Sequence, residues 1–356
     1  MKVLYLTNIH NPYRDEFFEQ LGHTCDLTVL FEERSDPNRD ASWFEDAHAH
    51  NYKELFLPPE ERGPVSRTML DLVSKKWSIV IVGCYNTSRQ MAAIEYMKHH
   101  GISYVINSDG LVFDKGSYLK RIVRRHILKD ASAYLVAGEA CLPNLRCVVG
   151  EGARVKSYPM TSLERRRVES LSAEAAERNH GTVLIVGQYQ YYKGLDVVLD
   201  AAADLSPDLR FRFVGAGRRS EELRADVDKR GLRNVSVIPF LDQDALAREY
   251  QGAGLFVLPS RQECWGLVVN EAAACGCPIV GTWGSGAAID FISGSYPNLL
   301  AKPGDPSSLA QSIKEFYAFS DREKRDYSSY LVRKSADYTI ESMVEAHLEL
   351  FWEIAT

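Results

Sequence analysis

Short runs of branched aliphatic and aromatic residues alternate along the chain with longer stretches whose apolar residues recur at helical spacing. This alternation predicts parallel sheets covered by helices, because a parallel strand pair needs a long crossover segment, usually a helix. In the first half, the predicted helices are Asp15–Leu21 and Ser88–His99. The predicted strands of that half are Val3–Thr7, Cys25–Phe31, Ser78–Val82, Ser103–Asn107 and Ala133–Ala137.

The second half repeats the pattern, and two similar series predict two doubly wound α/β domains of Rossmann-like topology instead of one long sheet. Its predicted strands are Val183–Val186, Phe211–Val214, Val235–Pro239, Leu255–Leu258 and Pro278–Val280. Its predicted helices are Leu195–Asp204, Ser220–Lys229, Asp244–Tyr250 and Gly266–Cys275.

The stretch between Met160 and His180 is polar and charge-rich, and we expect it to join the two domains. The predicted organisation is an amino-terminal domain over 1–165, a second domain over 166–339 and a terminal helix over 340–356. The apolar residues of Ile340–Trp352 need a partner surface, so we expect this helix to pack across the domain junction.

Composition is that of an ordinary globular protein, with 356 residues, 45% apolar and 25% charged residues, and a net charge of −6. The acidic balance argues against a nucleic-acid partner. The apolar run at 3–6 is too short for a signal-peptide core, and no run approaches the roughly 18 residues of a membrane span. Seven cysteines without a CxxC pair indicate reduced thiols, so we expect a cytoplasmic protein.

The segment 255–280 is the most informative part of the sequence. A predicted strand ends at Pro259–Ser260, a polar loop follows, and Gly266 opens a helix that ends at Gly276. The loop is therefore expected at the carboxyl edge of a parallel sheet, where such sheets bind ligands. Backbone N–H groups of Gly266 and Leu267 would favour an anion there.

Two carboxylates accompany this predicted anion site. Glu263 lies in the loop, and Glu271 follows eight residues later, two helical turns in on broadly the same side. Carboxylates beside an anion suit the hydroxyl groups of a sugar, although solvated surface charges are the common alternative.

These features resemble the signature of family 4 retaining glycosyltransferases, which have the GT-B fold. The pattern is Glu, seven residues, Glu, preceded by LPS and followed by Gly-x-Pro. Three further segments occur in the family's order, and the resemblance covers about 183–305: they are VGQYQYYKGLDVVLDAA at 186–202, FVGAG at 213–217 and VIPFLDQDALAREYQGAGLFVLPS at 237–260. The resemblance implies two Rossmann-like domains facing a cleft, a terminal helix crossing back to the first domain, and a nucleotide-sugar donor such as a UDP-sugar, with no further cofactor.

The resemblance also implies roles for individual residues. Lys193 would grip the donor diphosphate, Glu263 the hydroxyls of the transferred sugar, and Glu271 the ribose. Asp109 would lie near the anomeric carbon as a base or as an electrostatic stabiliser, with an Asp–Gly turn as the alternative. The residues expected at the donor are Arg14, Gly187, Gln188, Lys193, Ile238, Pro239, Glu263, Trp265, Gly266, Leu267 and Glu271.

Two positions depart from the family pattern. Gln188 stands where the family usually has arginine, so either another cation, from Arg14 or Arg261, compensates or the donor is held less tightly. Cys264–Trp265 replaces Gly–Phe, and Trp265 is expected to pack under the sugar or the base.

Other motifs predict less. The pairs Asp226/Asp228 and Asp242/Asp244 suit a solvated helix face and helix caps, so we expect no essential metal. His48 and His50 indicate a surface loop, and FVGAGRRS a tight turn. Acceptor groups are expected in the first domain, from the sets His10, Asn11 and Arg14, and Tyr85, Asn86, Ser88 and Arg89.

Basic and apolar residues interleave over 115–129. This segment fits either a packed amphipathic helix or peripheral contact with the inner face of an anionic membrane that carries a lipid-linked glycan acceptor.

The sequence thus predicts a hexosyltransferase (EC 2.4 type) that moves a sugar with retention to a saccharide or glycan acceptor in polysaccharide biosynthesis. A nucleotide-sugar epimerase of the same fold and a non-catalytic sugar-nucleotide-binding relative are the alternatives.

Overall fold

The computed structural model describes residues 1–34, 50–61, 63–110, 118–173 and 178–355. The chain forms two compact units: unit 1 comprises Met1–Ser162 with Ile340–Thr356, and unit 2 comprises Leu163–Thr339. The division at Ser162 falls within the charged stretch between Met160 and His180, three residues before the expected end of the first domain at 165.

Unit 1 is built on a seven-stranded sheet whose paired strands are all parallel, in the order β3-β2-β1-β4-β5-β6-β7. The strands are β1 (Lys2–Ile9), β2 (Asp26–Glu33), β3 (Lys53–Phe56), β4 (Ile79–Val82), β5 (Val105–Ser108), β6 (Ala133–Ala137) and β7 (Val155–Tyr158). The helices between them are α1 (Pro12–Gly22), α2 (Arg67–Val73), α3 (Ser88–His100), α4 (Tyr118–Leu128) and α5 (Leu142–Val149).

Unit 2 has a six-stranded parallel sheet in the order β10-β9-β8-β11-β12-β13. The strands are β8 (Asn179–Val186), β9 (Arg210–Val214), β10 (Val235–Ile238), β11 (Ala253–Val257), β12 (Ile279–Thr282) and β13 (Leu300–Ala301). The helices are α6 (Arg165–Ala173), α7 (Leu195–Ala201), α8 (Ser220–Lys229), α9 (Gln243–Gly252), α10 (Leu267–Ala274), α11 (Gly286–Ile292), α12 (Pro306–Tyr317) and α13 (Asp321–Ser335).

The central strands are apolar and buried, which is what a parallel sheet covered on both faces requires. All four residues of β4 and all five of β11 are buried. Side chains cap several helices: Ser66 accepts a hydrogen bond from the N–H of Met69 at the start of α2, and Thr87 accepts one from Gln90 at the start of α3. The predicted fold class, two Rossmann-like α/β domains, is confirmed.

Both sheets reverse their strand order once, between the first strand and the fourth. In unit 2 this point lies between β8 and β11, which pair directly. Loops that leave the carboxyl ends of these two strands run in opposite directions and leave a crevice, the usual ligand site of open α/β sheets.

The terminal helix α14 (Ile340–Ala355) packs on α1 and β7 within unit 1. His347 is fully buried against Phe17 and Tyr158. The expected packing across the domain junction stays a prediction. Across the described residues, no helix combines the length and apolar character that a membrane span needs.

Candidate functional site

The chain leaving β8 is shaped by two glycines. Gly187 has φ +147°, and its N–H donates to the carbonyl of Val214 at 3.0 Å. Gly194 has φ +71°, and a Cβ there would lie 2.2 Å from the carbonyl oxygen of Pro259. Only glycine fits this approach. It brings Lys193 beside the loop that follows β11.

Lys193 and Glu263 form an ion pair through Nζ and Oε2, and their side chains are 22% and 15% exposed. The backbone N–H of Glu263 donates to the carbonyl of Gly284 at 2.8 Å, which fixes the loop. The Ser260 hydroxyl lies 3.4 Å from the same carboxylate oxygen. Two residues predicted for one site, 70 positions apart in sequence, are thus in contact in unit 2.

Gly266 precedes α10 in the left-handed conformation, with φ +107°. A Cβ there would meet Ser285 Oγ at 3.1 Å and Leu258 Cδ2 at 3.2 Å, so the position is both strained and crowded for any other residue. Within the described ranges, the backbone N–H groups of Gly266 and Leu267 have no acceptor. They form the start of a helix, where partial positive charge favours an anion.

Glu271 lies in α10 and is partly buried. It accepts a hydrogen bond from the Tyr250 hydroxyl at 3.2 Å. Burial raises the pKa of Glu271 above its ordinary value, and the Tyr250 hydrogen bond partly opposes this shift. Tyr250 is itself buried, edge-on to Phe256 at 5.4 Å between ring centroids, so the carboxylate is held in place.

Trp265 does not occupy the predicted position. Its side chain is 3% exposed, its indole N–H donates to Asn270 Oδ1 at 2.9 Å, and its ring stacks on Tyr338. The expectation that this ring packs under a sugar or base is wrong, because the ring is a core group of unit 2. Its carbonyl accepts from the N–H of Ala287 at 3.0 Å and so anchors the loop before α10.

The compensating cations proposed from the sequence are engaged elsewhere. Arg261 forms two 2.7 Å hydrogen bonds to the carboxylate of Asp196 and lies 4.2 Å from the ring centroid of Tyr191. Arg14 belongs to unit 1 and pairs with Asp109. Neither guanidinium is an unpaired charge that could replace the arginine missing at position 188.

Arg218 is a cation that the sequence reasoning missed. Gln188 packs at 3.5 Å from the position a Cβ would take at Gly217, so Arg218 directly follows a contact of Gln188. Arg218 is exposed, and no acidic partner is found for it in the described part of the chain. Two arginines directly after a glycine turn at a strand's carboxyl end were the available signal.

The residues predicted to bind the base lie at the end of β10. The carbonyl of Ile238 already accepts from the N–H of Gly215 at 3.2 Å, and Pro239 has no N–H to offer. Phe240 is 60% exposed. An exposed aromatic ring at this edge of the sheet suits a planar base.

Asp109 follows β5 in unit 1. One of its oxygens pairs with Arg14, and the other accepts from the Tyr158 hydroxyl at 3.2 Å. Arg14 is 7% exposed, whereas the Asp109 side chain is 36% exposed. The carboxylate is therefore held in place by Arg14 and Tyr158 and is accessible to solvent on one side.

Other predicted acceptor groups have structural partners. His10 Nε2 lies 3.1 Å from Asp15, and the hydrogen bond to Asp15 raises the pKa of His10. Arg89 binds Glu32 and Glu33 at 3.1 Å each. His48 lies outside the described residues.

Three aspartates of the pairs Asp226/Asp228 and Asp242/Asp244 make contacts within the protein. Asp226 accepts from the Tyr189 hydroxyl. Asp242 caps α9 by accepting from the N–H of Ala245 at 2.7 Å, and Asp244 pairs with Arg167. The described residues contain no group of three or more His, Cys, Asp or Glu side chains arranged to hold a metal ion. That the protein needs no metal stays a prediction.

Comparison with known proteins identifies the region that carries this site. Residues 169–334 match the family described as "Glycosyl transferases group 1". The chain is 30% identical to an uncharacterized glycosyltransferase of Methanocaldococcus jannaschii over 39% of each chain. It is 29% identical to O-antigen chain mannosyltransferase C of Escherichia coli, over 47% of this chain and 45% of that protein.

A longer match covers 73% of the chain and 60% of the D-inositol 3-phosphate glycosyltransferase of Jonesia denitrificans, at 26% identity. The chain thus matches between 39% and 60% of the length of these relatives.

Two solved structures resemble the whole chain. Sucrose-phosphate synthase of Thermosynechococcus elongatus superimposes with a TM-score of 0.72 at 18% identity, covering 99% of each chain. HepE of Anabaena in complex with UDP superimposes with a TM-score of 0.73 at 16% identity, covering 99% of this chain and 100% of that one. At these identities the likeness establishes the fold, a GT-B-type pair of Rossmann-like domains.

Proposed function

Because residues 169–334 match the glycosyltransferase group 1 family, we propose that the protein transfers a hexose from a nucleotide sugar to a saccharide or glycan acceptor. Transfer proceeds with retention, and the donor is a UDP-sugar. Crystal structures of HepE in complex with UDP and with UDP-glucose support the choice of donor. The names of two relatives, an O-antigen chain mannosyltransferase and a D-inositol 3-phosphate glycosyltransferase, support the transfer of a sugar to an acceptor of this class.

The observation that carries the proposal is the Lys193–Glu263 ion pair beside the start of α10. It lies in unit 2 at the strand-order reversal between β8 and β11, where a nucleotide is expected. One cation and two N–H groups without acceptors form a site for a diphosphate.

Lys193 acts on the leaving group in this proposal. As the bond between the sugar and the diphosphate breaks, negative charge grows on the phosphate oxygen. A cation fixed beside that oxygen stabilises the transition state more than the ground state, and so do the N–H groups of Gly266 and Leu267.

Glu263 changes partner when the donor binds. In the structure it neutralises Lys193. A diphosphate competes for the ammonium group and leaves the Glu263 carboxylate free to accept hydroxyls of the transferred sugar. Glu271 accepts the ribose hydroxyls, and Tyr250 holds that carboxylate in place.

Arg218 supplies the second positive charge at the diphosphate. The residue follows the Gly217 turn against which Gln188 packs. We infer that Gln188 donates a hydrogen bond to the diphosphate and that Arg218 supplies the positive charge. A single arginine at position 188 would supply both.

Asp109 stabilises positive charge at the anomeric carbon and does not act as the base. Each of its two oxygens already accepts a hydrogen bond, one from Arg14 and the other from Tyr158. A carboxylate held in this way suits electrostatic stabilisation, and a phosphate oxygen of the leaving group takes the acceptor proton.

The acceptor is proposed to be lipid-linked, with α4 resting on an anionic membrane. Ile122 and Val123 are 48% and 53% exposed on a helix that also carries Arg124 and Arg125. Residues 115–117 of the predicted basic segment lie outside the described residues. Sedimentation with phosphatidylglycerol vesicles tests the contact: Ile122→Ser/Val123→Ser should weaken it, whereas Val65→Ser, another exposed valine, should not. Equal sedimentation of all forms would contradict it.

Turnover tests the activity itself. The protein is incubated with UDP-hexoses and candidate acceptors, and UDP release and the anomeric configuration of the product are followed by NMR. We expect UDP release that depends on the acceptor, with the donor's configuration kept. Lys193→Ala should abolish it, and Lys302→Ala, with its side chain 78% exposed, is the matched control.

Other outcomes assign the alternatives. A changed sugar without acceptor indicates an epimerase. Nucleotide binding without any reaction indicates a non-catalytic relative.

A further inference from the structure

Strand β9 has an unusual pattern for a covered parallel sheet. Its sequence is Arg-Phe-Arg-Phe-Val, and Phe211 and Phe213 are fully buried on one face. Because side chains alternate along a strand, Arg210 and Arg212 share the other face. Parallel strands covered on both faces are usually apolar throughout, so folding alone does not call for two arginines here.

Polar residues continue across this face of the sheet. In the strand register, Arg210 pairs with Thr182 of β8, and Arg212 pairs with Ser236 of β10. The four side chains lie at the amino-terminal half of the sheet. They form a polar floor where a helix would normally bury apolar side chains.

Helix α9 completes a cavity over this floor. Ala245, Arg248, Glu249 and Gly252 recur at the spacing of one helix face, and all four line the cavity. Two small residues and two charged ones leave space where leucines would fill it. The cavity is partly open to solvent and has a volume of about 450 Å³, within the size range of small-molecule sites.

The cavity carries excess positive charge. Arg212 is neutralised by Glu249 through two hydrogen bonds of 2.9 and 2.6 Å. Arg210 and Arg248 also line the cavity, and no acidic partner is found for either in the described part of the chain. Both guanidinium groups are exposed, so an anion that enters the cavity can pair with them.

The cavity runs along α9, from Ala253 at the amino edge of the sheet to Leu241 after β10, and the donor-site residues Lys193, Glu263 and Glu271 do not line it. Asn179 and Arg210, the first residues of β8 and β9, line it, whereas the donor residues follow the carboxyl ends of the strands. At about 3.3 Å per residue, the seven steps along β8 separate Asn179 from Val186 by roughly 23 Å.

We propose that this cavity is a second ligand site of unit 2 and binds a phosphate-bearing anion. Guanidinium groups bind phosphate oxygens through paired N–H donors, and the hydroxyl of Thr182 adds a further donor. The volume exceeds that of one phosphate and accommodates an attached organic group. Such a phosphate monoester is supplied by a phosphorylated metabolite or by a phospholipid headgroup.

Calorimetric titration of the full chain tests the site. The soluble probes are inorganic phosphate and glycerol 3-phosphate, and the lipid probe is phosphatidylcholine vesicles with and without phosphatidic acid. Saturating UDP is present throughout, so that phosphate binding at the donor site does not contribute. The test variant is Arg210→Ser/Arg248→Ser. The control is Arg322→Ser/Arg325→Ser, two exposed arginines of α13.

We expect the test variant to weaken binding at least about tenfold, the loss of one charge-assisted hydrogen bond, and the control to bind like the parent. Loss of glycerol 3-phosphate binding identifies a soluble ester, and loss of phosphatidic acid binding alone identifies a headgroup. Equal binding by parent and test variant, or binding of no probe, would overturn the proposal. If the serine pair does not fold, Arg248→Glu reverses one charge and must weaken binding as well.

Discussion

Gly194→Ala tests whether the approach of Gly194 to Pro259 builds the site. The substitution first forces an alanine to φ +71°, which costs about 1–2 kcal/mol. The added Cβ would also lie 2.2 Å from the Pro259 carbonyl oxygen, a backbone atom that cannot rotate away. Overpacking of this kind costs a further 1–3 kcal/mol or so, and the expected total is about 2–5 kcal/mol.

Gly215→Ala is the matched control. Gly215 has φ +77°, and nothing lies within 4 Å of its added Cβ, so only the conformational cost of about 1–2 kcal/mol remains. Urea denaturation followed by circular dichroism measures both variants against the parent. Equal destabilisation by the two substitutions would refute the steric argument. A folded Gly194→Ala protein with unchanged UDP affinity would refute the idea that this contact positions Lys193.

Three further predictions follow from pKa shifts and charge. Burial raises the pKa of Glu271 above the ordinary value of 4.5, so the parent loses stability as the pH rises from 4.5 through the raised pKa. At neutral pH, Glu271→Gln should therefore have a higher melting temperature than the parent. At pH values below 4.5 the variant should have no such advantage. Burial lowers the pKa of His347 from 6.5 to about 4. The stability that this group contributes above pH 6.5 is therefore lost as the pH falls to 4, and the loss amounts to up to about 3 kcal/mol. Thermal melts of His347→Leu should lack this loss. Arg218→Ala should weaken UDP binding about tenfold by calorimetry, whereas Arg322→Ala should leave it unchanged.

Much of the fold could be predicted because the central strands are continuous apolar runs in the sequence. The runs at 3–6 and Leu255–Leu258 are continuously apolar, and the structure has β1 and β11 there. The edge strands of unit 1 were missed for the opposite reason. Strands β3 and β7 are short, half-buried and partly charged, so neither period nor composition distinguishes them from loops. Helix α6 was also missed, because its arginines make the segment read as a charged linker, although Val168 and Leu171 are buried.

The site was predictable where backbone geometry dictates the residue. Gly194 and Gly266 adopt conformations that other residues avoid, and each flanks a predicted functional side chain. Partners of long polar side chains were not predictable. The sequence could not reveal that Arg261 binds Asp196, or that the buried Trp265 donates a hydrogen bond to Asn270, because these contacts depend on packing between elements.

Thermal-shift titration with nucleoside diphosphates and nucleotide sugars tests the central claim, a nucleotide-sugar site in unit 2, most directly. A ligand that binds only the folded protein raises the melting temperature by mass action. UDP and one UDP-sugar are expected to raise it for the parent and for Lys302→Ala, and to leave Lys193→Ala and Glu271→Ala unchanged. The claim would be contradicted if no nucleotide shifted the parent, or if both site variants responded as the parent does.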